Sequence, residues 1–84
     1  MFFEVIPTEV FRSDGGILTY SSEIALKPGQ IVLIPLGKKT VTGIVWQKVP
    51  SVDFPTKPIS KLLSPIPLPK HLLRAIFWLS QYYL

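Results

Sequence analysis

Ile31-Val32-Leu33-Ile34-Pro35-Leu36-Gly37-Lys38-Lys39-Thr40-Val41-Thr42-Gly43-Ile44-Val45-Trp46-Gln47-Lys48-Val49 is the stretch that decides the fold of this 84-residue chain. Its first four residues are apolar with no polar alternation, which predicts a strand buried on both faces or central to a closed sheet. Pro35 is expected to end that strand, because proline has no N–H to give a ladder. Leu36-Gly37-Lys38-Lys39 then turns the chain. Residues 40–49 are β-branched and aromatic almost throughout and predict a second strand, with Gly43 marking a bulge or a sharp bend.

Upstream, Lys27-Pro28-Gly29-Gln30 puts proline second and glycine third in a turn, the type II arrangement, so a strand starts at Gln30 or Ile31. Asp14-Gly15-Gly16 is the strongest turn signal in the chain and predicts a hairpin between Glu9–Arg12 and Ile17–Tyr20. A first strand is expected near residues 2–7. Downstream, six of the nine prolines fall between Pro50 and Pro69, so no helix runs there and the regular piece expected is a short strand over Pro58–Leu63. Past Pro69 the period becomes helical, and Leu72, Leu73, Ile76, Phe77, Ser80 and Tyr83 mark one helix face. Pro69 suits a first-turn position, where its missing N–H is not needed.

The fold class expected is therefore mainly β: a small half-open barrel of the OB or SH3 sort, with about five strands over residues 1–68 and a C-terminal helix over 69–84. Residues 1–84 make one domain. The chain stops at Tyr82-Tyr83-Leu84 with apolar residues and no Gly or Asn cap, which reads as a cut inside a longer chain.

Composition removes several classes of function. With no cysteine and a single histidine, His71, there is no thiolate metal site, no Cys nucleophile and no structural zinc, so neither metal nor cofactor is expected. The five carboxylates form no obvious acid/base pair, and no GxSxG, HExxH or phosphate-binding glycine loop is present. Catalytic residues are expected to be absent. No apolar run approaches the ~20 residues of a membrane span, and Met1-Phe2-Phe3-Glu4 shows neither a basic n-region nor a following apolar h-region, so the expected location is cytoplasmic.

Charge points toward a partner. Glu4, Glu9, Asp14 and Glu23 against Arg12 leave residues 1–26 at net −3, while seven lysines and Arg74 against Asp53 leave residues 27–84 at net +7. Such asymmetry suits one face meeting a polyanion. Lys38-Lys39 directly follow Gly37, so a tight turn would offer backbone N–H groups and two ammonium groups together. Phe11, Tyr20, Trp46, Phe54, Trp78 and Tyr82 are the candidate platforms for stacked bases, although a core this small needs most of its aromatic area.

The ordered set of a strand entering Tyr20, Lys27-Pro28-Gly29, Ile31–Pro35-Leu36-Gly37-Lys38, Thr42-Gly43-Ile44-Val45, Lys57-Pro58-Ile59 and Trp78–Leu84 resembles the N-terminal domain of the bacterial primosomal protein N′ family, the replication-restart helicases PriA. The resemblance implies a non-catalytic domain that binds the 3′ end of the nascent leading strand at a stalled fork, followed in the chain by an ATP-dependent helicase motor. It also implies DNA as partner, with single-strand-binding protein and other primosome proteins nearby. The family's end-binding pocket uses a Phe-Asp pair before the tyrosine, the glycine of the P-x-G-K turn and the lysine that opens K-P-I. Tyr20, Gly37 and Lys57 match these positions, and Leu18-Thr19 replace the Phe-Asp pair. Thr19 brings no charge, so weaker end selectivity is expected. Leu18, Thr19, Tyr20, Gly37, Lys38, Lys39 and Lys57 are thus the DNA-binding candidates. Rival readings are an SH3-like module for a proline-rich or C-terminal peptide, and a packing domain whose Trp78 and Tyr82 face docks on a motor.

Overall fold

The computed structural model describes residues 1–8 and 17–82, apart from the side chain of Tyr82. Among these residues the chain forms β1 (Phe2–Pro7), β2 (Leu18–Ser21), β3 (Ile31–Leu36), β4 (Lys39–Val49), β5 (Lys57–Pro58), β6 (Lys61–Ser64) and α1 (Lys70–Tyr82). They build one curled sheet in the order β5-β2-β1-β4-β3-β6. The mainly β half-barrel with a C-terminal helix is what the sequence predicts. The predicted Glu9–Arg12 strand and the Asp14-Gly15-Gly16 turn lie outside the described residues, and β2 takes β1 as its antiparallel partner, Phe3 facing Tyr20 and Val5 facing Leu18.

One predicted strand divides in two. The Pro58–Leu63 segment does not form a single strand, because its halves serve different edges. Lys57 and Pro58 pair in parallel with Tyr20 and Ser21 of β2, whereas Lys61 and Leu62 pair with Leu33 and Val32 of β3. Between them, Ile59 donates its N–H to Ser21 O at 2.9 Å and Ser60 donates to Leu33 O at 2.8 Å. A single stretch of chain therefore joins the two edges of the curled sheet, which also leaves few strand groups unpaired.

β3 is an interior strand, flanked by β4 and β6, and this is why its sequence lacks polar residues. Val32 and Ile34 are fully buried, while Ile31 and Leu33 are half-buried on the outer face. The core holds Phe3, Val5, Tyr20, Leu26, Val32, Ile34, Val41 and Val45. Pro35 does not end the strand as expected. It pairs with Thr40 one step beyond the closing pair Leu36↔Lys39, at a non-hydrogen-bonded position where β4 asks for no N–H.

The bulge also sits elsewhere than predicted. Register along β1 passes from Glu4↔Gln47 to Val5↔Val45, so the extra residue of β4 is Trp46 and not Gly43. Gly43 serves close packing instead: a Cβ there would lie 2.5 Å from Val5 Cγ1 and 3.1 Å from Ile34 Cδ1. The bulge aims Trp46 at the helix, where its ring stacks on Phe77 with centroids 4.1 Å apart and planes 8° from parallel. That contact places α1 on the outer face of the sheet. Leu73, one turn before Phe77, is buried, and Ile76, Phe77 and Ser80 are half-buried. Leu72, expected on this face, is 43% exposed instead, since the buried stripe is centred one residue further round. Pro69 stands just before the helix and its carbonyl accepts the N–H groups of Leu72 and Leu73 at 3.1 and 3.0 Å.

The Lys27–Gln30 turn forms as predicted, with Gly29 at φ 95° and Gln30 N–H donating to Lys27 O at 3.1 Å. Its Gln30 side chain is buried with both polar atoms bonded: Oε1 accepts from Lys27 N–H at 2.8 Å, and Nε2 donates to Pro65 O at 2.7 Å. Gly29 O accepts Leu68 N–H at 3.0 Å. Together these bonds fasten the proline-rich approach to the helix against the barrel.

Candidate nucleic-acid interface

Leu36 and Lys39 close a two-residue hairpin around Gly37 and Lys38. Gly37 has φ 64° and no described non-glycine residue has positive φ, so glycine stands first in a II′-type turn whose twist suits the flanking strands. A Cβ built on Gly37 meets nothing within 4 Å, so the backbone here is open to approach from outside. Lys38 and Lys39 are both exposed beside it. The turn thus presents open backbone and two cations, as its sequence predicts.

Tyr20 ties this turn to a second element. Its ring is 4% exposed and belongs to the core, so it is no stacking platform, while its hydroxyl donates to Pro35 O at 2.7 Å. Burial pushes the Tyr20 phenol above its ordinary pKa, because the ionised form would lose water without gaining a partner charge. Since Pro35 is non-hydrogen-bonded toward β4, its carbonyl points away from that strand and is free to accept. Tyr20 is in turn the register partner of Lys57. One side chain therefore links the root of the Gly37 turn to the strand that carries the exposed Lys57.

Strand alternation divides the remaining candidates. Leu18 packs against the core with Tyr20, so Thr19 between them faces outward, opposite Glu4. Glu4 Oε1 accepts from Gln47 Nε2 at 2.8 Å on that outer face. The structure thus brings Tyr20, Lys57 and the base of the Gly37-Lys38-Lys39 turn together, and sets Thr19 on the other side of β2, beside a carboxylate. The signal for this is present in the sequence: once Tyr20 is assigned to the core, period two sends Thr19 outward.

Of the other aromatic candidates, Trp46 is taken up by Phe77, while Phe54 and Trp78 are 52% and 59% exposed. Phe11 lies outside the described residues, as does the side chain of Tyr82. His71 is exposed on α1. Among the described residues no group of three or more His, Cys, Asp or Glu could hold a metal ion, and no helix is long and apolar enough to cross a membrane.

A small curled sheet closed by one crossing segment, with an open glycine turn and exposed lysines, is an architecture that barrel-type nucleic-acid-binding domains share. A family model described as the 3′ DNA-binding domain (3′BD) of PriA matches residues 10–84. The chain belongs to that family and is a DNA-binding domain.

Proposed function

We propose that the domain docks the 3′ end of the nascent leading strand at a stalled replication fork, as the non-catalytic part of a cytoplasmic replication-restart helicase. The motor lies elsewhere in a longer chain, and single-strand-binding protein and other primosome proteins are its neighbours. No cofactor is required of this domain. The observation that carries the reading is the Tyr20 hydroxyl bond to Pro35 O, which holds the open Gly37 turn and the Lys57 strand in one arrangement. Gly37 gives the strand end backbone access, and Lys38, Lys39 and Lys57 meet phosphates. Leu18, Thr19 and Tyr20 form the supporting border, Thr19 from the outer side.

Competition among strands of one sequence that end in a 3′ hydroxyl, a 3′ phosphate or a 5′ phosphate tests this. A terminal phosphate adds about −1.5 to −2 charge at neutral pH, so a diffuse basic surface would bind it equally or more tightly. A fitted end site binds it more weakly, because the added group loses water without a full set of partners. Thr19 adds no charge repulsion, so the expected preference for the hydroxyl is within about tenfold, ~1.4 kcal/mol. Lys57→Ala should weaken binding of the hydroxyl end while leaving the melting temperature unchanged, since Lys57 is exposed. Tighter binding of the 3′-phosphate strand would leave only a generic basic surface.

A further inference from the structure

A cleft of about 240 Å³ opens on the segment that follows Lys57. Its floor is apolar, from Leu26 in the core and from Pro58, Ile59 and Leu62 on the crossing segment. Glu23 and Ile24, from the turn after β2, and Ser60 and Lys61, from the crossing segment, complete its lining. Ser22 Oγ donates to Ile24 O at 2.9 Å and accepts Ile24 N–H at 3.1 Å, which fixes Glu23 in a tight turn. Glu23 and Lys61 are both exposed and bear opposite charge, yet no ion pair joins them among the described residues.

The slot is smaller than the usual ~300–1,000 Å³ of a site for a drug-sized molecule, and so suits one flat ring system. Ile24, 53% exposed, and Pro58 offer apolar surface to such a ring. Lys57 and Lys61 flank the slot on one stretch of chain, four residues apart and so at most about 14 Å from each other. A polymer with an anionic backbone and flat apolar rings meets all three features, and a strand end held at Lys57 would put its next nucleotide beside Pro58. Glu23 can accept a hydrogen bond but cannot donate one. Among bases it therefore favours those with an exocyclic amine, as carboxylates do for cytosine N4, and disfavours thymine, which presents a carbonyl there.

We propose that this cleft is a second nucleotide subsite, which takes the base next to the strand end, sets its phosphates between Lys57 and Lys61, and uses Glu23 to prefer amine-bearing bases over thymine. The inference rests on the end-docking reading above and adds base preference to it. Affinity should accordingly depend on the penultimate base and not only on charge.

The test is fluorescence anisotropy with trinucleotides that share a 3′-terminal base and differ only in the penultimate one. Penultimate cytosine or adenine should bind about three- to tenfold more tightly than thymine. Glu23→Gln, whose amide both donates and accepts, should close that gap, and Lys61→Ala should weaken trinucleotides while leaving a 3′-hydroxyl mononucleotide unaffected. Equal affinity for all penultimate bases would overturn the subsite, as would Glu23→Gln tightening every strand by the same factor, which would make Glu23 only a repelling charge. Loss of the 3′-hydroxyl preference in the end competition would instead sink the end-docking reading, so the two failures are distinguishable. A basic peptide that binds in a Glu23-dependent way, without displacement by trinucleotide, would assign the cleft to a protein partner and overturn the proposal.

Discussion

Tyr20→Phe removes one oxygen and leaves the ring in place, so it isolates the bond that joins the two halves of the proposed end site. The hydroxyl donates at 2.7 Å to Pro35 O in a partly buried setting. Loss of such a bond costs about 1 kcal/mol, and the stranded carbonyl raises this toward ~1.5 kcal/mol. For a domain of this length that lowers the melting temperature by roughly 4–8 °C per kcal/mol. A pH signature separates this mechanism from a simple packing defect. The folded phenol titrates above its ordinary value of 10.0 because burial disfavours the ionised form. A group raised on folding contributes its full stability below the unfolded pKa and loses it as pH climbs through the folded pKa. The wild-type protein should thus lose stability above about pH 10 by an amount that Tyr20→Phe is spared, and the gap between the two should narrow there. Every other ionisable group is common to both proteins and cancels in the difference. Urea melts at pH 7.5, 9 and 11 measure it. A gap that stays constant across this range, or no loss at pH 7.5, would refute the role assigned to the hydroxyl.

Gly29→Ala should destabilise by more than ~2 kcal/mol, since φ 95° disfavours an L side chain and the new Cβ would lie 2.7 Å from Leu68 N and 2.9 Å from Leu68 O. Gly37→Ala, with open space around it, should lose only the ~1–2 kcal/mol of its turn conformation, and thermal melts of the two variants compare them directly. Replacing Lys38 and Lys39 by alanine should flatten the slope of log affinity against log salt on a single strand by roughly 1.4, about 0.7 for each phosphate no longer neutralised; an unchanged slope makes the pair a solubilising turn. A double-mutant cycle on Trp46→Ala and Phe77→Ala should return a coupling of about 0.5–1.5 kcal/mol for the stacked rings, and zero coupling would mean that the stack does not hold the helix.

Local chemistry makes much of the fold legible. Lys27-Pro28-Gly29-Gln30 specifies its turn through proline's fixed φ and glycine's freedom, and the change of period after Pro69 places the helix. What escapes the sequence depends on partners that are distant along the chain. Whether Pro35 ends a strand depends on which side its missing N–H faces, and that is settled by the hairpin register two residues away. Whether Pro58–Leu63 is one strand depends on two edges, β2 and β3, that only the curled sheet brings near each other. The helix face is displaced by one residue at Leu72 because both sides of α1 carry leucines, so periodicity alone does not say which stripe meets Trp46.

The site follows the same division. Gly37 and the neighbouring lysines are legible, because a positive-φ glycine flanked by lysines is exposed wherever a two-residue hairpin puts it. The dependence of that turn on Tyr20 is not legible, since a tyrosine in a β-rich stretch reads equally as core or as platform, and only the folded sheet buries its ring and brings its hydroxyl to the Pro35 carbonyl. Thr19 shows the converse. It stands between two core residues, so its outward direction is a matter of strand period alone, and its neighbour there is Glu4. Any contact that Thr19 makes with a strand end must be reached around the rim of β2 and next to a carboxylate. The carboxylate disfavours a phosphate there and leaves a neutral hydroxyl unopposed, which is the selectivity that the end competition measures.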